Sequence, residues 1–216
     1  MKNDQLQADV KEELFWEPKV DSNEIAAHVS GGTVTLRGTV GSPRQKIEAK
    51  RAVQRVHGVR SVVDELKVKP LPGHKREDAE LRGAVLQALA LDSVVPQTVD
   101  AQVEDGKVTL SGTAAWQFER DEAEFVTGNI LGVVRVHNEI EITGPPPDAG
   151  KVRDSIEGAM RRNAAVEANR IQIRTSDGTV TLSGIVESWP EHDAAISAAW
   201  NAPGVHHVVD EVEVNF

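Results

Sequence analysis

Residues 31–38 read Gly-Gly-Thr-Val-Thr-Leu-Arg-Gly, and the pattern returns as Asp-Gly-Lys-Val-Thr-Leu-Ser-Gly at 105–112 and as Asp-Gly-Thr-Val-Thr-Leu-Ser-Gly at 177–184. The opening Gly-Gly or Asp-Gly pair is typical of a hairpin turn, which needs positive φ angles. Val and Leu then alternate with polar residues, which predicts a strand with one apolar face. The copies are 74 and 72 residues apart, and this period predicts three units of about 70 residues.

Each predicted unit has the same order of elements: helix, strand, strand, helix, strand. In the first unit these are an amphipathic helix at about 3–16, strands at 25–29 and 33–38, a helix at about 43–57 and a closing strand at 61–69. Ser42-Pro43 favours the start of the second helix, as an N-cap followed by Pro at the first helical position. The second helices of the later units are expected at about 117–131 and 190–202.

This order predicts an α+β fold of three tandem αββαβ modules. Each module is expected to be a three-stranded mixed sheet with two helices on one face, because the first two strands form a hairpin and the third follows a helical crossover. The expected modules are 1–70, 75–144 and 148–216, and the linkers at 70–73 and 144–147 are rich in Pro, which favours semi-rigid spacers.

Composition excludes several classes of protein. The chain has no Cys, so it has no disulfide framework and no thiolate chemistry. No apolar run approaches the ~18 residues of a membrane span. The net charge of −10 argues against broad nucleic-acid binding. The first five residues have no apolar leader segment, so we expect a cytoplasmic protein, or a periplasmic one if a leader has been removed.

Two further motifs follow each turn-strand block. Gly-Val pairs occur at 58–59, 132–133 and 204–205, and closing strands with Asp-Glu or Asn-Glu in the middle occur at 62–66, 136–140 and 208–212. Together these motifs resemble the BON domain, named for bacterial osmotically inducible and nodulation proteins, in three tandem copies. The resemblance implies non-catalytic modules that bind phospholipid surfaces or protect the envelope under osmotic stress. Relatives include a cytoplasmic potassium-binding protein and a periplasmic chaperone-like protein.

The Asp or Asn of each closing strand is Asp64, Asn138 or Asp210. Strand alternation places Asn138 on the same face as Val136 and Ile140, so these three polar side chains are expected at the core, where they need hydrogen-bond partners. The favoured interpretation is a structural role, in which they tie down a nearby loop or helix end. The alternative is that they are ligands in a cation site.

The first repeat differs from the others in charge. Its net charge is +2, whereas those of the second and third are −7 and −5. Five cations lie on its predicted second helix: Arg44, Lys46, Lys50, Arg51 and Arg55. They form a candidate site for an anionic surface, since each cation near an anionic leaflet contributes about 1 kcal/mol. A solvated helix face, or a contact with the acidic second repeat or with another molecule, remains open.

Two Trp residues, Trp116 and Trp189, lie just before or at the start of the predicted second helices of repeats two and three, and they are candidates for an interface between repeats. Trp16 and Trp200 are expected to pack in a core or between domains. The seven His residues lack metal-site spacing, and no nucleophile motif or phosphate loop is present.

We therefore predict a non-catalytic tandem binding or scaffold protein, related to osmotic stress, that contacts an anionic phospholipid surface or a protein partner. No cofactor is expected apart from a possible monovalent cation, no nucleic acid is expected, and self-association remains open. One alternative is a cytoplasmic potassium sensor that binds the ion with backbone carbonyls at the repeat junctions and compacts. Another is a chaperone-like protein.

Overall fold

The computed structural model describes residues 3–69, 76–143, 149–163 and 170–215. The chain forms two compact units. The first consists of Met1–Ala114 and Phe118–Glu141 and contains repeats one and two; the second consists of Ala115–Gln117 and Ile142–Phe216 and contains repeat three. Both Pro-rich linkers predicted from the sequence fall outside the described residues.

Repeat one is organised around its middle strand. Its elements are α1 (Asn3–Trp16), β1 (Ile25–Ser30), β2 (Thr33–Val40), α2 (Pro43–Gln54) and β3 (Ser61–Val68). β2 pairs antiparallel with β1 and parallel with β3, as the hairpin and the helical crossover predicted. The hairpin turns at Gly31 and Gly32, which have φ of 57° and 84°. The hydroxyl of Ser42 accepts a hydrogen bond from the Gln45 N–H (3.2 Å) and so caps α2.

Repeat two has the same topology with shorter strands. Its elements are α3 (Asp78–Leu91), β4 (Asp100–Glu104), β5 (Lys107–Ser111), β6 (Thr113–Ala114), α4 (Gln117–Gly128), β7 (Arg135–Asn138) and β8 (Glu141–Ile142). The single predicted sheet is divided into a three-stranded sheet, β4-β5-β7, and a two-stranded sheet, β6-β8. Asp78, in the first turn of α3, accepts hydrogen bonds from the N–H groups of Asp105 and Gly106 and so supports the hairpin turn.

Repeat three consists of α5 (Ala149–Arg162), β9 (Ile171–Ser176), β10 (Thr179–Val186), α6 (Trp189–Trp200) and β11 (His207–Val214). Its sheet order, β11-β10-β9, again has the central strand antiparallel to the first strand and parallel to the last. Ser188 caps α6 as Ser42 caps α2.

Each repeat encloses its own hydrophobic core between one sheet face and two helices. In repeat one the apolar stripe of α1 packs against the inward residues of β2, which include Val34 and Leu36. The predicted α+β class and the module architecture are therefore confirmed. Over the residues that the structure describes, none of the helices has the length and apolar composition needed to cross a bilayer.

Candidate functional site

The polar residue of each closing strand is paired with a residue on the second helix of the same repeat. In repeat one, Lys46 Nζ lies 3.3 Å from Asp64 Oδ1 and donates a hydrogen bond to the Leu66 carbonyl at 2.8 Å. The same Asp64 oxygen accepts a hydrogen bond from the Leu66 N–H at 3.0 Å. We call such a pair, which joins the second helix to the closing strand, a clamp.

The clamp of repeat two uses an amide in place of a carboxylate. Asn138 Nδ2 donates to the Arg120 carbonyl at 3.0 Å and to Glu124 Oε2 at 3.2 Å. Arg120 Nη2 in turn donates to the Asn138 carbonyl at 2.9 Å. The Asn138 Oδ1 accepts a hydrogen bond from the Ile140 N–H at 3.2 Å. Both the nitrogen and the oxygen of the Asn138 amide therefore have hydrogen-bond partners, and the side chain has a structural role in joining the closing strand to α4.

The clamp of repeat three contains a histidine. His192 Nε2 lies 2.9 Å from Asp210 Oδ2, and its Nδ1 lies 3.1 Å from Asp193 Oδ1. Burial of the imidazole opposes its charge, but the hydrogen bond with Asp193 and the charge and hydrogen bond of Asp210 outweigh burial and raise the pKa of His192. The third clamp therefore contains a titratable group whose pKa lies above the ordinary value for histidine.

The sequence patterns identified the strand member of each clamp, and of the helical members only Lys46, which was assigned to the anionic-surface site instead. The helical partners Lys46, Arg120 and His192 each precede their strand partner by 18 residues, and this constant spacing between a basic residue and Asp or Asn could have revealed them. The strand side chains lie on the helix-facing side but are not fully buried. Asp64 is 22% exposed and Asp210 43%, because a single helix covers each closing strand at the edge of its sheet.

Most cations of the predicted anionic-surface site are engaged within repeat one. Arg44 is only 24% exposed, and its Nη2 lies 2.6 Å from Oε1 of Glu48, a buried carboxylate. Lys19 and Arg51 also approach Glu48, each with a nitrogen at 3.6 Å. Glu48 was not identified from the sequence, because nothing in the helical charge run distinguishes it from an exposed acid.

Arg55 ties α2 to the end of α1. Its Nη2 lies 2.8 Å from Glu13 Oε1 and 2.7 Å from Glu17 Oε2. The hydrogen bond with Arg55 lowers the pKa of Glu17 and raises that of Arg55. Lys46 belongs to a clamp. Of the five cations in the predicted site, Lys50 and Arg51 are therefore the two best placed to meet an external surface. Both are exposed, and the side chain of Arg51 is 61% exposed and makes only a long contact of 3.6 Å with Glu48.

The Trp residues differ in environment. Trp189 is half-buried against the core of repeat three, with its ring centroid 4.9 Å from that of His192. Trp116 is more exposed and lies in the segment Ala115–Gln117, which belongs to the unit of repeat three. Trp200 packs against the same core as expected. The expectation for Trp16 was wrong: this side chain is 70% exposed and contacts Phe15 edge to face.

Among the described residues, no group of three or more His, Asp or Glu side chains is arranged to hold a metal ion. The repeat junctions, where backbone carbonyls were expected to bind potassium, lie outside the described residues.

Comparison with known proteins places these features in a wider context. The model of the family described as BON domain matches residues 2–70, 77–144 and 148–215. The chain is 32% identical over 146 residues to osmotically-inducible protein Y of Escherichia coli (strain K12), which covers 65% of this chain and 73% of that protein.

Two solved structures of CdsD, a structural protein of the type III secretion system of Chlamydia trachomatis, also align with the chain. The first is 17% identical, covers 96% of this chain and 91% of its own, and has a TM-score of 0.27. The second, of the C-terminal domain, is 15% identical, covers 100% of both chains, and has a TM-score of 0.28.

Proposed function

The chain belongs to the BON domain family, and from this premise we propose that it is a non-catalytic binding or scaffold protein of the osmotic-stress response. Its first repeat contacts an anionic phospholipid surface. The similarity to osmotically-inducible protein Y supports the link to osmotic stress. A role without catalysis is supported by membership of this family and by the clamp residues, whose polar groups pair with one another within each repeat.

The observation that carries the lipid contact is the exposed pair Lys50 and Arg51 on α2. Repeat one is the only repeat with a net positive charge, and in it Arg44, Lys46 and Arg55 are held by internal acids. Two exposed cations contribute roughly 2 kcal/mol at an anionic surface. The contact is therefore weak and sensitive to ionic strength.

Flotation with phospholipid vesicles tests the proposal. We expect the protein to float at low salt with vesicles of phosphatidylglycerol and phosphatidylcholine, but not with vesicles of phosphatidylcholine alone. The variant Lys50→Glu/Arg51→Glu should lose about thirtyfold in affinity, as expected for two contacts of about 1 kcal/mol each. Absence of flotation of the unmodified protein at low salt would overturn the lipid contact.

A matched control has the same change in net charge elsewhere. Lys107 and Arg135 are exposed register partners on the sheet of acidic repeat two, so Lys107→Glu/Arg135→Glu should still float. Equal loss in both variants would show that only net charge matters.

Small-angle scattering in potassium and in sodium tests the alternative function, a potassium sensor: compaction of the protein in potassium alone would favour it. The compartment, expected to be the cytoplasm, stays a prediction that cell fractionation would test.

A further inference from the structure

Repeats one and two touch where α2 begins and α4 ends. The guanidinium carbon of Arg44 lies 4.2 Å from the ring centroid of Phe125, which is within the range of a cation–π contact. A Cβ placed on Gly128, the last residue of α4, would lie 3.8 Å from the Cβ of Pro43, the first residue of α2. Both contacts fall inside one compact unit.

The electrostatics of this contact are favourable in two ways. Arg44 brings a cation to the last turn of α4, where the helix dipole attracts positive charge. Arg44 is also positioned by Glu48, whose carboxylate oxygen lies 2.6 Å from it and whose side chain is 4% exposed. Because a buried carboxylate needs a paired cation, the same ion pair fixes the guanidinium under the Phe125 ring.

Equivalent positions in the other repeats do not offer the same combination. Repeat two has Phe118 and repeat three has Pro190 where repeat one has Arg44. Repeat one has Arg51 and repeat three has Ser197 where repeat two has Phe125. The position of Gly128 is occupied by Gln54 in repeat one and by Trp200 in repeat three. A side chain at this position would obstruct the close approach of the first residue of another helix, as Pro43 approaches Gly128.

We propose that the start of α2 is a docking surface whose partner is the end of α4 in the same chain, so that repeats one and two form one mechanical unit. Arg44 then acts in an intrachain interface, whereas the anionic-surface contact proposed above depends on Lys50 and Arg51. The two proposals rest on different residues, and either can fail without the other.

The absence of Cys from the chain allows a direct test in the full-length protein. A separation of 3.8 Å between Cβ atoms is close to the mean for disulfides. We expect the variant Pro43→Cys/Gly128→Cys to form an intramolecular disulfide under mild oxidation, with no remaining free thiol. The control Pro43→Cys/Gly83→Cys should keep both thiols, since nothing lies within 4 Å of a Cβ at Gly83.

Two free thiols in the oxidised Pro43→Cys/Gly128→Cys variant would overturn the proposal, as would equal cross-linking of the control.

A double-mutant cycle supplies an independent measurement. Phe125→Ala should reduce the folded-to-unfolded ratio about two- to tenfold. Arg44→Ala should reduce it further, because it also removes the cation nearest to the buried Glu48 carboxylate. The double variant should be no worse than Arg44→Ala alone. Strict additivity would contradict a direct contact. Vesicle flotation should be unchanged by Arg44→Ala.

Discussion

At the scale of single residues, the three clamps differ in the chemistry of their helical member. Repeats one and two use an ammonium group, on Lys46, and a guanidinium group, on Arg120. Repeat three uses the imidazole of His192, whose pKa is raised in the folded protein. The charged side chains that face His192 are Asp193 from α6 and Asp210 from β11. The other elements packed on α6 contribute apolar residues to the core, such as Ile156 from α5 and Val186 from β10. Repeat three is therefore the repeat whose clamp responds to pH.

We predict that repeat three loses stability as pH rises above neutrality. The pKa of His192 is raised in the folded state, so the clamp's contribution is fully present below the unfolded pKa of about 6.5 and is lost as pH rises through the folded value. A charge-assisted hydrogen bond contributes about 1.5–3 kcal/mol. Urea unfolding at a series of pH values measures this loss when it is followed by tryptophan fluorescence in the background Trp16→Phe/Trp116→Phe, which leaves Trp189 and Trp200 as the fluorophores.

Two variants separate this effect from general titration. His192→Lys copies the residue of repeat one and should remove the loss of stability that begins above about pH 6.5, because an ordinary Lys side chain stays charged well above that pH. His28→Gln removes an exposed histidine of repeat one and should leave the dependence intact. If His192→Lys retained the full pH dependence, another group would have to be responsible.

The residue scale is also where prediction from the sequence is most limited. Strand alternation placed Asp64, Asn138 and Asp210 on the helix-facing side, because side-chain direction follows from local periodicity. The burial of Glu48 and the contact of Arg44 with Phe125 depend on residues far away in the chain, and no local pattern encodes them. Trp16 was misassigned for the same reason: its burial depends on whether another element covers the end of α1.

At the scale of elements, the central strand of each repeat passes very close to the chain that enters the first strand. Gly38 in β2 has φ of 129°, and a Cβ there would overlap the carbonyl oxygen of Glu24. Gly112 and Gly184 make the same close approach to Thr98 and Arg170. The Gly at the end of each turn-strand block is therefore required by the packing of two backbones.

Replacement of Gly38 by Ala should destabilise repeat one by more than about 3 kcal/mol, because both the backbone angle and the space are wrong for a side chain. Gly83→Ala in α3 is the control, since a Cβ at that helical position meets nothing within 4 Å and Ala is favoured over Gly by about 1 kcal/mol. Urea denaturation should move the two midpoints in opposite directions. A neutral Gly38→Ala would mean that the strand crossing relaxes easily.

The bounds of the elements were largely predictable, because the residues that form the turns and helix caps lie next to the elements that they bound. The first helix agrees at both ends, and the alternating Val and Leu residues identified the central strands. The second helix of repeat one ends at Gln54, earlier than the predicted 57, because hydrophobic periodicity continues through Val56 into the turn before Val59. The division of the sheet in repeat two was not predicted, since its strand residues follow the same pattern as in the other repeats.

At the scale of the whole molecule, the described residues form three separate hydrophobic cores and not one large core. The clusters centred on Leu36, Leu110 and Leu182 have no residue in common. Because each core is enclosed by its own sheet and helices, the free energy of unfolding is distributed over modules. A single value for the whole chain would therefore average over modules of different stability.

A cavity made in the core of one repeat should destabilise that repeat and leave the stability of repeats with other cores unchanged. Ile156 in α5 is fully buried in repeat three, and Ile156→Ala is expected to cost about 2–5 kcal/mol. Hydrogen exchange measured by mass spectrometry should show faster exchange across 171–214 and unchanged protection in α1 and β2. Leu36→Ala, made in the core of repeat one, should give the reverse pattern. Uniform loss of protection in both variants would show that the three cores unfold together, and the modular account of stability would then be wrong.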